Sequence, residues 1–240
     1  MNKKLWHRYM SLSDILSDGL RLLRIKLPTI LLFSLLVNLP IILFRTLFPT
    51  ENYSKNFIAW LSFGIDQLDY VIGYFVLIGI AYLVEASIQG KILSLADIFR
   101  FSFSRLFDVF LTGLLLLVIL LGLTLLLVIP AIIWGNYFSF AIIITALRNN
   151  RGKAALSYSK KLIQEHWWRV FGIHFAIVSL CIIFYLPFRI IANNVDTKFL
   201  STFLPHIISD ISIAIGQVLS VILFLNFDYV KENQKQNRMN

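Results

Sequence analysis

An uncharged run extends from Val109 to Leu147. The run is about twice as long as the roughly 20 residues that an α-helix needs to cross the hydrocarbon core of a bilayer. Pro130 is the only proline in the run and lies near its middle, where it would interrupt a continuous helix. The pattern therefore predicts a membrane-spanning helical hairpin that turns at Pro130.

Four further hydrophobic segments have the length of a membrane span. Two of them, 70–90 and 199–227, carry a single carboxylate each, Glu85 and Asp210. The other two, 27–44 and 170–188, contain no Asp, Glu, Lys or Arg. Together with the hairpin, these segments predict an all-α integral membrane protein with about six transmembrane helices.

Composition and charge agree with a membrane protein and predict its orientation. Hydrophobic residues make up 58% of the chain, which excludes an ordinary water-soluble domain. If the N-terminus is cytoplasmic, 18 of the 22 Lys and Arg residues fall on the cytoplasmic side, where such residues accumulate. The four on the other side are Arg45, Lys55, Arg189 and Lys198. We therefore expect a bacterial plasma membrane location, both termini in the cytoplasm and no cleaved signal peptide.

A short motif recurs along the chain. The sequence SLSDIL at 11–16 is repeated as SLADIF at 94–99, and a looser third copy begins near Lys153. This predicts a single membrane domain, 1–240, of three units at approximately 11–90, 94–147 and 153–228, with a short cytoplasmic tail at 229–240. We expect each unit to begin with a cytoplasmic amphipathic surface helix. The alternative is that these stretches are the cytoplasmic ends of the spans.

The third unit resembles a known family. The shared pattern is a proline turn, a loop with glycine, an Ala-Leu-x-x-Ser helix, an aromatic pair beside a basic residue, and a final glycine. These positions are Pro130, Gly152, Ala155, Leu156, Ser159, Trp167, Trp168, Arg169 and Gly172. Most strongly over 114–172, the chain resembles the membrane domain of bacterial glycerophosphodiester phosphodiesterases and related stand-alone bacterial membrane proteins of unknown function. Since only residues 228–240 follow the last span, we expect no phosphodiesterase activity.

The same segment contains candidate binding residues. Lys160, Lys161 and Arg169 belong to the densest basic cluster in the chain. Trp167 and Trp168 are of the type that favours the headgroup level of a membrane. Because anionic leaflets attract basic residues, this segment predicts binding of anionic membrane lipids or of a membrane-protein partner. The alternative is that these charges only orient the chain.

Polar residues within the spans are the other candidates. A carboxylate such as Glu85 is costly inside a membrane and faces either the bundle interior or the cytoplasmic interface. Asn38 and Asn136 line a polar path or, alternatively, form hydrogen bonds between helices. Asp66 and Asp69 form a cation site or complement the dipole of a helix that begins there.

Motifs of known catalytic chemistry are missing from the sequence. There is no phosphate-binding Gly-Lys-Ser/Thr loop and no His-Glu-x-x-His motif, and the four histidines are scattered. We expect no enzyme activity, no cofactor, no metal and no nucleic-acid partner. The favoured function is a non-enzymatic membrane module that engages lipids or organises a membrane partner, such as an exporter subunit or a lipid-acting enzyme. The alternative is a small transporter with a polar path lined by Glu85, Asn38 and Asn136.

Overall fold

The computed structural model describes residues 8–47, 54–193 and 198–239, and these are almost entirely helical. The helices are α1 (Leu12–Leu47), α2 (Lys55–Ile88), α3 (Leu95–Leu126), α4 (Val128–Tyr137), α5 (Ala141–Leu147), α6 (Lys153–Ile163), α7 (Trp167–Asn193) and α8 (Lys198–Met239). Six segments are long and apolar enough to cross a membrane, with α4 and α5 together forming one of them. The predicted all-α membrane fold with six spans is confirmed.

The repeated serine motif forms the same helix start in the first two units. The Ser94 hydroxyl accepts a hydrogen bond from the Asp97 N–H at 3.2 Å, and the Asp97 carboxylate accepts one from the Ser94 N–H at 2.9 Å. Ser11 and Asp14 make the same two bonds, at 3.2 and 3.1 Å. This reciprocal arrangement is a capping box, which satisfies backbone donors at the first turn of a helix. The repeat in the sequence is therefore a repeated signal for starting a helix.

The amphipathic stretches differ between the units. In the first two units they continue directly into the span, because α1 and α3 are uninterrupted. In the third unit α6 is a separate helix, and a 3-10 turn at Gln164–His166 leads from it to α7. The predicted separate helix is thus found in the third unit, while the alternative describes the first two.

The hairpin turns at Leu127 instead of at Pro130. Leu126 ends α3, Leu127 is extended with φ −161°, and Val128 begins α4. Pro130 lies in the first turn of α4. Backbone N–H groups there have no acceptor within the helix, so the N–H that proline lacks is not needed. The second span of the hairpin is itself interrupted at 138–140, between α4 and α5.

Helix α8 is the centre of the bundle. It packs against α1, α2, α6 and α7. Its residues 221–228 are all at most 1% exposed, as expected for a helix surrounded on every side. The predicted tail at 229–240 is helical through Met239, as a continuation of α8.

One end of the bundle carries several basic side chains. We call the end that carries Arg148, Lys160, Arg169 and Asp228 the basic end. Asp210 lies near the opposite end, because it precedes Asp228 on α8 by 228 − 210 = 18 residues. At 1.5 Å per residue this is about 27 Å, close to the roughly 30 Å thickness of a hydrocarbon core.

Candidate functional site

Arg148 is the centre of a buried ion network at the basic end. Its Nε and Nη2 atoms donate to Asp228 Oδ2 at 2.9 and 2.7 Å, and its Nη1 atom donates to Glu85 Oε1 at 2.6 Å. The other carboxylate oxygen of Asp228 accepts from the Tyr158 hydroxyl at 2.6 Å. Burial alone would lower the pKa of Arg148, but Asp228 and Glu85 outweigh it and raise this pKa above its ordinary value. Arg148 therefore stays charged and connects α2 with α8, while Tyr158 connects α6 to the same aspartate.

Glu85 has a structural partner in this network. The structure places Glu85 near the end of α2, where its mostly buried carboxylate is paired with Arg148. Glu85 lines neither of the two membrane cavities described below. The sequence analysis did not predict this pairing. A signal was present, because Glu85, Asp228 and Arg148 each lie at or near the end of a hydrophobic run.

The two predicted lysines lie in different surroundings. The Lys160 Nζ atom lies 4.5 Å from the centroid of the Trp134 ring, a cation–π contact. Lys161 lines a cavity of about 520 Å³ at the basic end, which Lys231 and Lys235 also line. The Lys231 Nζ atom donates to the Lys161 carbonyl at 2.6 Å. Glu165 and Glu232 line the same cavity, so Lys161 has both basic and acidic neighbours there.

Arg169 holds the N-terminal segment against the bundle. Its Nη2 atom donates to the carbonyl oxygens of Tyr9 and Met10 at 2.9 and 2.7 Å. Asn226 of α8 adds two bonds to the same segment, from the Met10 N–H at 2.8 Å and to the Arg8 carbonyl at 2.9 Å. Arg169 thus has a structural role that sequence reasoning missed. Its role in lipid binding stays a prediction.

The two neighbouring tryptophans face different surroundings. The Trp167 indole N–H donates to the Ile133 carbonyl at 3.2 Å, and the ring stacks on Phe171 at a centroid distance of 5.1 Å. Trp168 is 78% exposed. Since aromatic rings at a membrane interface reach the headgroup level, Trp168 is the better placed of the pair for lipid contact.

Asn136 and Ser159 hold the break between α4 and α5. The Ser159 hydroxyl donates to the Tyr137 carbonyl at 2.7 Å and accepts from the Phe140 N–H at 3.2 Å. These bonds satisfy backbone groups that an interrupted helix leaves unpaired. The Asn136 Nδ2 atom donates to the Trp167 carbonyl at 3.1 Å. Asn136 is therefore an interhelical hydrogen-bond partner. Ser159 of the family-like motif has a structural role, because its hydroxyl pairs backbone groups at the break.

One of the two motif glycines also has a structural reason. Gly152 adopts φ +52°, which disfavours a residue with a side chain, and its N–H donates to the Thr112 hydroxyl at 3.0 Å. It therefore allows the turn into α6. Nothing in the structure explains Gly172.

A groove of about 540 Å³ lies between α2, α5, α7 and α8. Part of its wall is apolar and faces outward, because Val178 and Ile182 line it and each is 54% exposed. Along α8 the lining runs from Ser209 to Ser220. These 220 − 209 = 11 residue steps correspond to about 16 Å at 1.5 Å per residue. We call this space the groove, and its length is about half the thickness of a hydrocarbon core.

Two buried polar atoms belong to residues that line the groove. Ser139 Oγ and Gln217 Oε1 have no hydrogen-bond partner within the part of the chain that the structure describes. The side chain of His174, a third polar residue of the lining, forms a hydrogen bond with the backbone of Val170. A buried polar atom without a partner costs about 1–3 kcal/mol, so the groove combines apolar and polar surface.

A second cavity, of about 260 Å³, adjoins the groove on the side away from the basic end. We call it the acidic cavity because Asp69 of α2 and Asp210 of α8 both line it. Asn38 of α1 is a further lining residue, and its Nδ2 atom donates to Ser34 Oγ at 3.3 Å. The acidic cavity shares three lining residues with the groove: Ser209, Ile213 and Gln217.

The acidic cavity changes the interpretation of two predicted residues. Asp69 lies 69 − 55 = 14 residues after the first residue of α2, whereas the dipole effect is confined to the first turn of a helix. The dipole interpretation of Asp69 is therefore wrong. The side chain of Asp66 lies outside the described residues. Asn38 lines the same cavity as Asp69 and Asp210. Glu85 and Asn136 do not line it, and they form hydrogen bonds with Arg148 and with the Trp167 carbonyl.

No protein family matches the chain, and neither curated proteins nor solved structures show a significant match to it. The resemblance of 114–172 to the membrane domain of glycerophosphodiester phosphodiesterases therefore stays a prediction.

Proposed function

We propose that this protein is a non-enzymatic, multi-pass module of the bacterial plasma membrane that binds a membrane lipid in the groove. Both termini are cytoplasmic in this proposal, because Lys and Arg concentrate at the basic end. The groove then lies in the outer half of the bilayer. One observation carries the proposal: a single groove combines an outward-facing apolar wall with buried polar atoms of Ser139 and Gln217 that lack partners among the described residues.

The size and the walls of the groove suit part of a lipid. Its length of about 16 Å is close to the depth of one leaflet in a core of roughly 30 Å, and Val178 and Ile182 give a chain access from the side. Lipid tails are as apolar as these side chains, so apolar contact alone gives no preference for an occupant. Selectivity therefore comes from the hydrogen bonds that Ser139 and Gln217 offer.

Contact with anionic lipid at the basic end is a second part of the proposal. Lys161 and Trp168 are well placed for it, since Lys161 lines the cavity at that end and Trp168 is exposed. A membrane-protein partner would use the same face.

A matched pair of substitutions tests the groove. Ile182→Trp places a large ring in the groove, whereas Ile183→Trp adds the same ring at a position that is 67% exposed and lines neither the groove nor the acidic cavity. Lipids retained by the purified protein are measured by native mass spectrometry. We expect Ile182→Trp to lose bound lipid and Ile183→Trp to retain it, with thermal unfolding showing that both variants are folded. Equal retention in the two variants would contradict the proposal.

A small transporter is the second candidate function. It is favoured by the shared lining of the groove and the acidic cavity, which brings polar side chains from α1, α2, α7 and α8 to one connected space. Dithionite quenching of a fluorescent lipid in proteoliposomes separates the two functions. Quenching that extends to the inner leaflet supports transport, whereas quenching of the outer leaflet alone supports a binding module.

A further inference from the structure

The lining of the groove is polar in places but lacks the side chains that would balance a charged ligand. Among its described residues there is no Asp, Glu, Lys or Arg. The carboxylates of Asp69 and Asp210 line the acidic cavity beside it and not the groove itself. A charged group at membrane depth is costly unless it meets water or a group of opposite charge. The groove therefore favours an occupant whose buried part is uncharged.

The two polar atoms without partners lie deep in the membrane. Gln217 precedes Asp228 on α8 by 228 − 217 = 11 residues, which corresponds to about 16 Å. Ser139 precedes Arg148, the partner of Asp228, by 148 − 139 = 9 residues, or about 13 Å at the same rise. Since Arg148 and Asp228 lie at the basic end and a hydrocarbon core is roughly 30 Å thick, both polar atoms lie near the middle of the core.

A phospholipid with its phosphate at the membrane surface does not match atoms at this depth. Such a lipid brings only hydrocarbon chains to the middle of the membrane. Hydrocarbon offers no hydrogen bond to the Ser139 hydroxyl or to the Gln217 amide oxygen, and a buried polar group without a hydrogen bond is costly. Moving the phosphate itself to this depth would bring a negative charge to a lining that offers no Lys or Arg among its described residues.

An uncharged hydroxyl matches both atoms. A hydroxyl has one donor and two acceptor lone pairs. It donates to Gln217 Oε1, and it pairs with the Ser139 hydroxyl in either direction. An ester or ether oxygen only accepts hydrogen bonds, so it would leave Gln217 Oε1 without a partner. A free hydroxyl is therefore the feature that distinguishes a fitting ligand from other neutral lipids.

We infer that the groove binds a neutral lipid through a free hydroxyl held near the middle of the membrane. The hydrocarbon chains of this lipid leave the groove past Val178 and Ile182, which face outward. Diacylglycerol is a ligand of this class, because it combines two acyl chains with one hydroxyl and no charge. The inference rests on the proposed lipid-binding function of the groove.

Two photoactivatable lipid probes test the inference. One is diacylglycerol, and the other is the same lipid with its hydroxyl converted to a methyl ether, which removes the donor and keeps both chains. Each is added in trace amount to phosphatidylcholine vesicles that contain the purified full chain. We expect diacylglycerol to label the protein about tenfold more strongly than its methyl ether, because the loss of a buried hydrogen bond is worth about this factor.

Substitutions of the two polar residues accompany the probes. Gln217→Leu should abolish the preference for the free hydroxyl without reducing labelling by the methyl ether, and Ser139→Ala should weaken the preference. Gln236→Leu is the matched control and should keep the preference, because it makes the same change on α8 at an exposed position that lines neither the groove nor the acidic cavity.

Thermal unfolding of the lipid-free protein gives a second readout for Gln217. The substitution Gln217→Leu removes a buried oxygen that has no partner among the described residues, so the unfolding temperature should not fall. A lower unfolding temperature would show that the Gln217 side chain has a structural role and would overturn its assignment to the ligand.

The outcomes separate this inference from the proposed function. Equal labelling by diacylglycerol and its methyl ether, with Ile182→Trp still preventing both, would overturn the hydroxyl assignment and keep the lipid-binding groove. Stronger labelling by the corresponding phosphatidic acid than by diacylglycerol would overturn the assignment of a neutral ligand. Labelling that Ile182→Trp does not change would overturn the groove itself.

Discussion

Arg148 and Asp228 are 80 residues apart in the chain and share two hydrogen bonds, of 2.9 and 2.7 Å, inside the basic end of the bundle. The Asp228 side chain has no exposed surface, and that of Arg148 is 24% exposed. Removing one member of a buried ion pair leaves the other charge without compensation, which makes the loss much larger than the net value of the pair.

Arg148→Met should therefore lower the free energy of unfolding by about 3–5 kcal/mol. Arg148→Lys should fall between this variant and the original protein, because a single ammonium cannot reproduce the fork of donors that reaches Asp228 and Glu85. Denaturant unfolding in detergent measures both. Arg151→Gln is the control, since its pair with Asp108 is largely exposed on the arginine side and should change stability by less than about 1 kcal/mol. An Arg148→Met protein as stable as the original would show that the network contributes nothing.

Ser159→Ala should destabilise the break between α4 and α5. The substitution removes the acceptor of the Phe140 N–H and the donor to the Tyr137 carbonyl, and leaving such groups unpaired costs about 1–3 kcal/mol. Ser157→Ala provides a matched control on the same helix, because Ser157 is exposed. Thermal unfolding should show a clear loss for Ser159→Ala alone. Equal unfolding temperatures of the two variants would remove the structural explanation of this motif serine.

The spans were predictable because each is a hydrophobic run whose length is set by the bilayer. The helix starts are partly visible in the sequence: the similarity of Ser11–Leu16 to Ser94–Phe99 marks two related sites, and the structure shows that Ser-x-x-Asp within them is a capping box. The position of the hairpin turn was wrong by three residues. The pattern identified Pro130 as the breaker, although a proline is also well tolerated within the first turn of the next helix.

The partners of the charged residues were not predictable. Glu85 and Asp228 lie 63 and 80 residues from Arg148, and nothing local indicates which cation a carboxylate will meet. The groove depends in the same way on which faces of α7 and α8 come together. His174 and Gln217 each stand alone in an apolar run, and only the packing of the helices brings them to one space.

Arg169→Gln should loosen the N-terminal segment. The variant loses the two bonds to the carbonyls of Tyr9 and Met10, and we expect hydrogen exchange of the peptide containing them to become about tenfold faster, for a loss of roughly 1.4 kcal/mol. Lys160→Gln is the control, because it removes a positive charge nearby without touching this segment. Unchanged exchange in Arg169→Gln would mean that Asn226 alone holds the segment.

Replacing Lys160 and Lys161 by Gln should lower the amount of anionic lipid that the purified protein retains. Each basic residue near an anionic leaflet contributes about 1 kcal/mol, so the double variant should lose about thirtyfold in affinity. Replacement of Lys3 and Lys4, which lie outside the described residues, controls for a general effect of charge. Equal losses of anionic lipid in the two variants would show only nonspecific charge attraction. Full retention of the lipid in both variants would contradict the proposed lipid contact at the basic end.

The orientation of the protein can be measured with single cysteines after Cys181→Ser. A cysteine at Asn52 should react with an impermeant thiol reagent in intact cells, and one at Asn150 should not. The expectation follows from the 18 of 22 basic residues on one side. Labelling of Asn150→Cys from outside would reverse the orientation and with it the assignment of the groove to the outer leaflet.

The hydrogen bond from the Met10 N–H to Asn226 joins positions that are 216 residues apart. During synthesis the ribosome releases the N-terminal segment long before α8, so the Met10 N–H gains this partner only after almost the whole chain has been made. Asp228 likewise reaches Arg148 only with α8, whereas the other partner of Arg148, Glu85, is synthesised before it. Insertion of α8 is consequently the step that completes assembly, because it brings Asn226 to the N-terminal segment and Asp228 to Arg148.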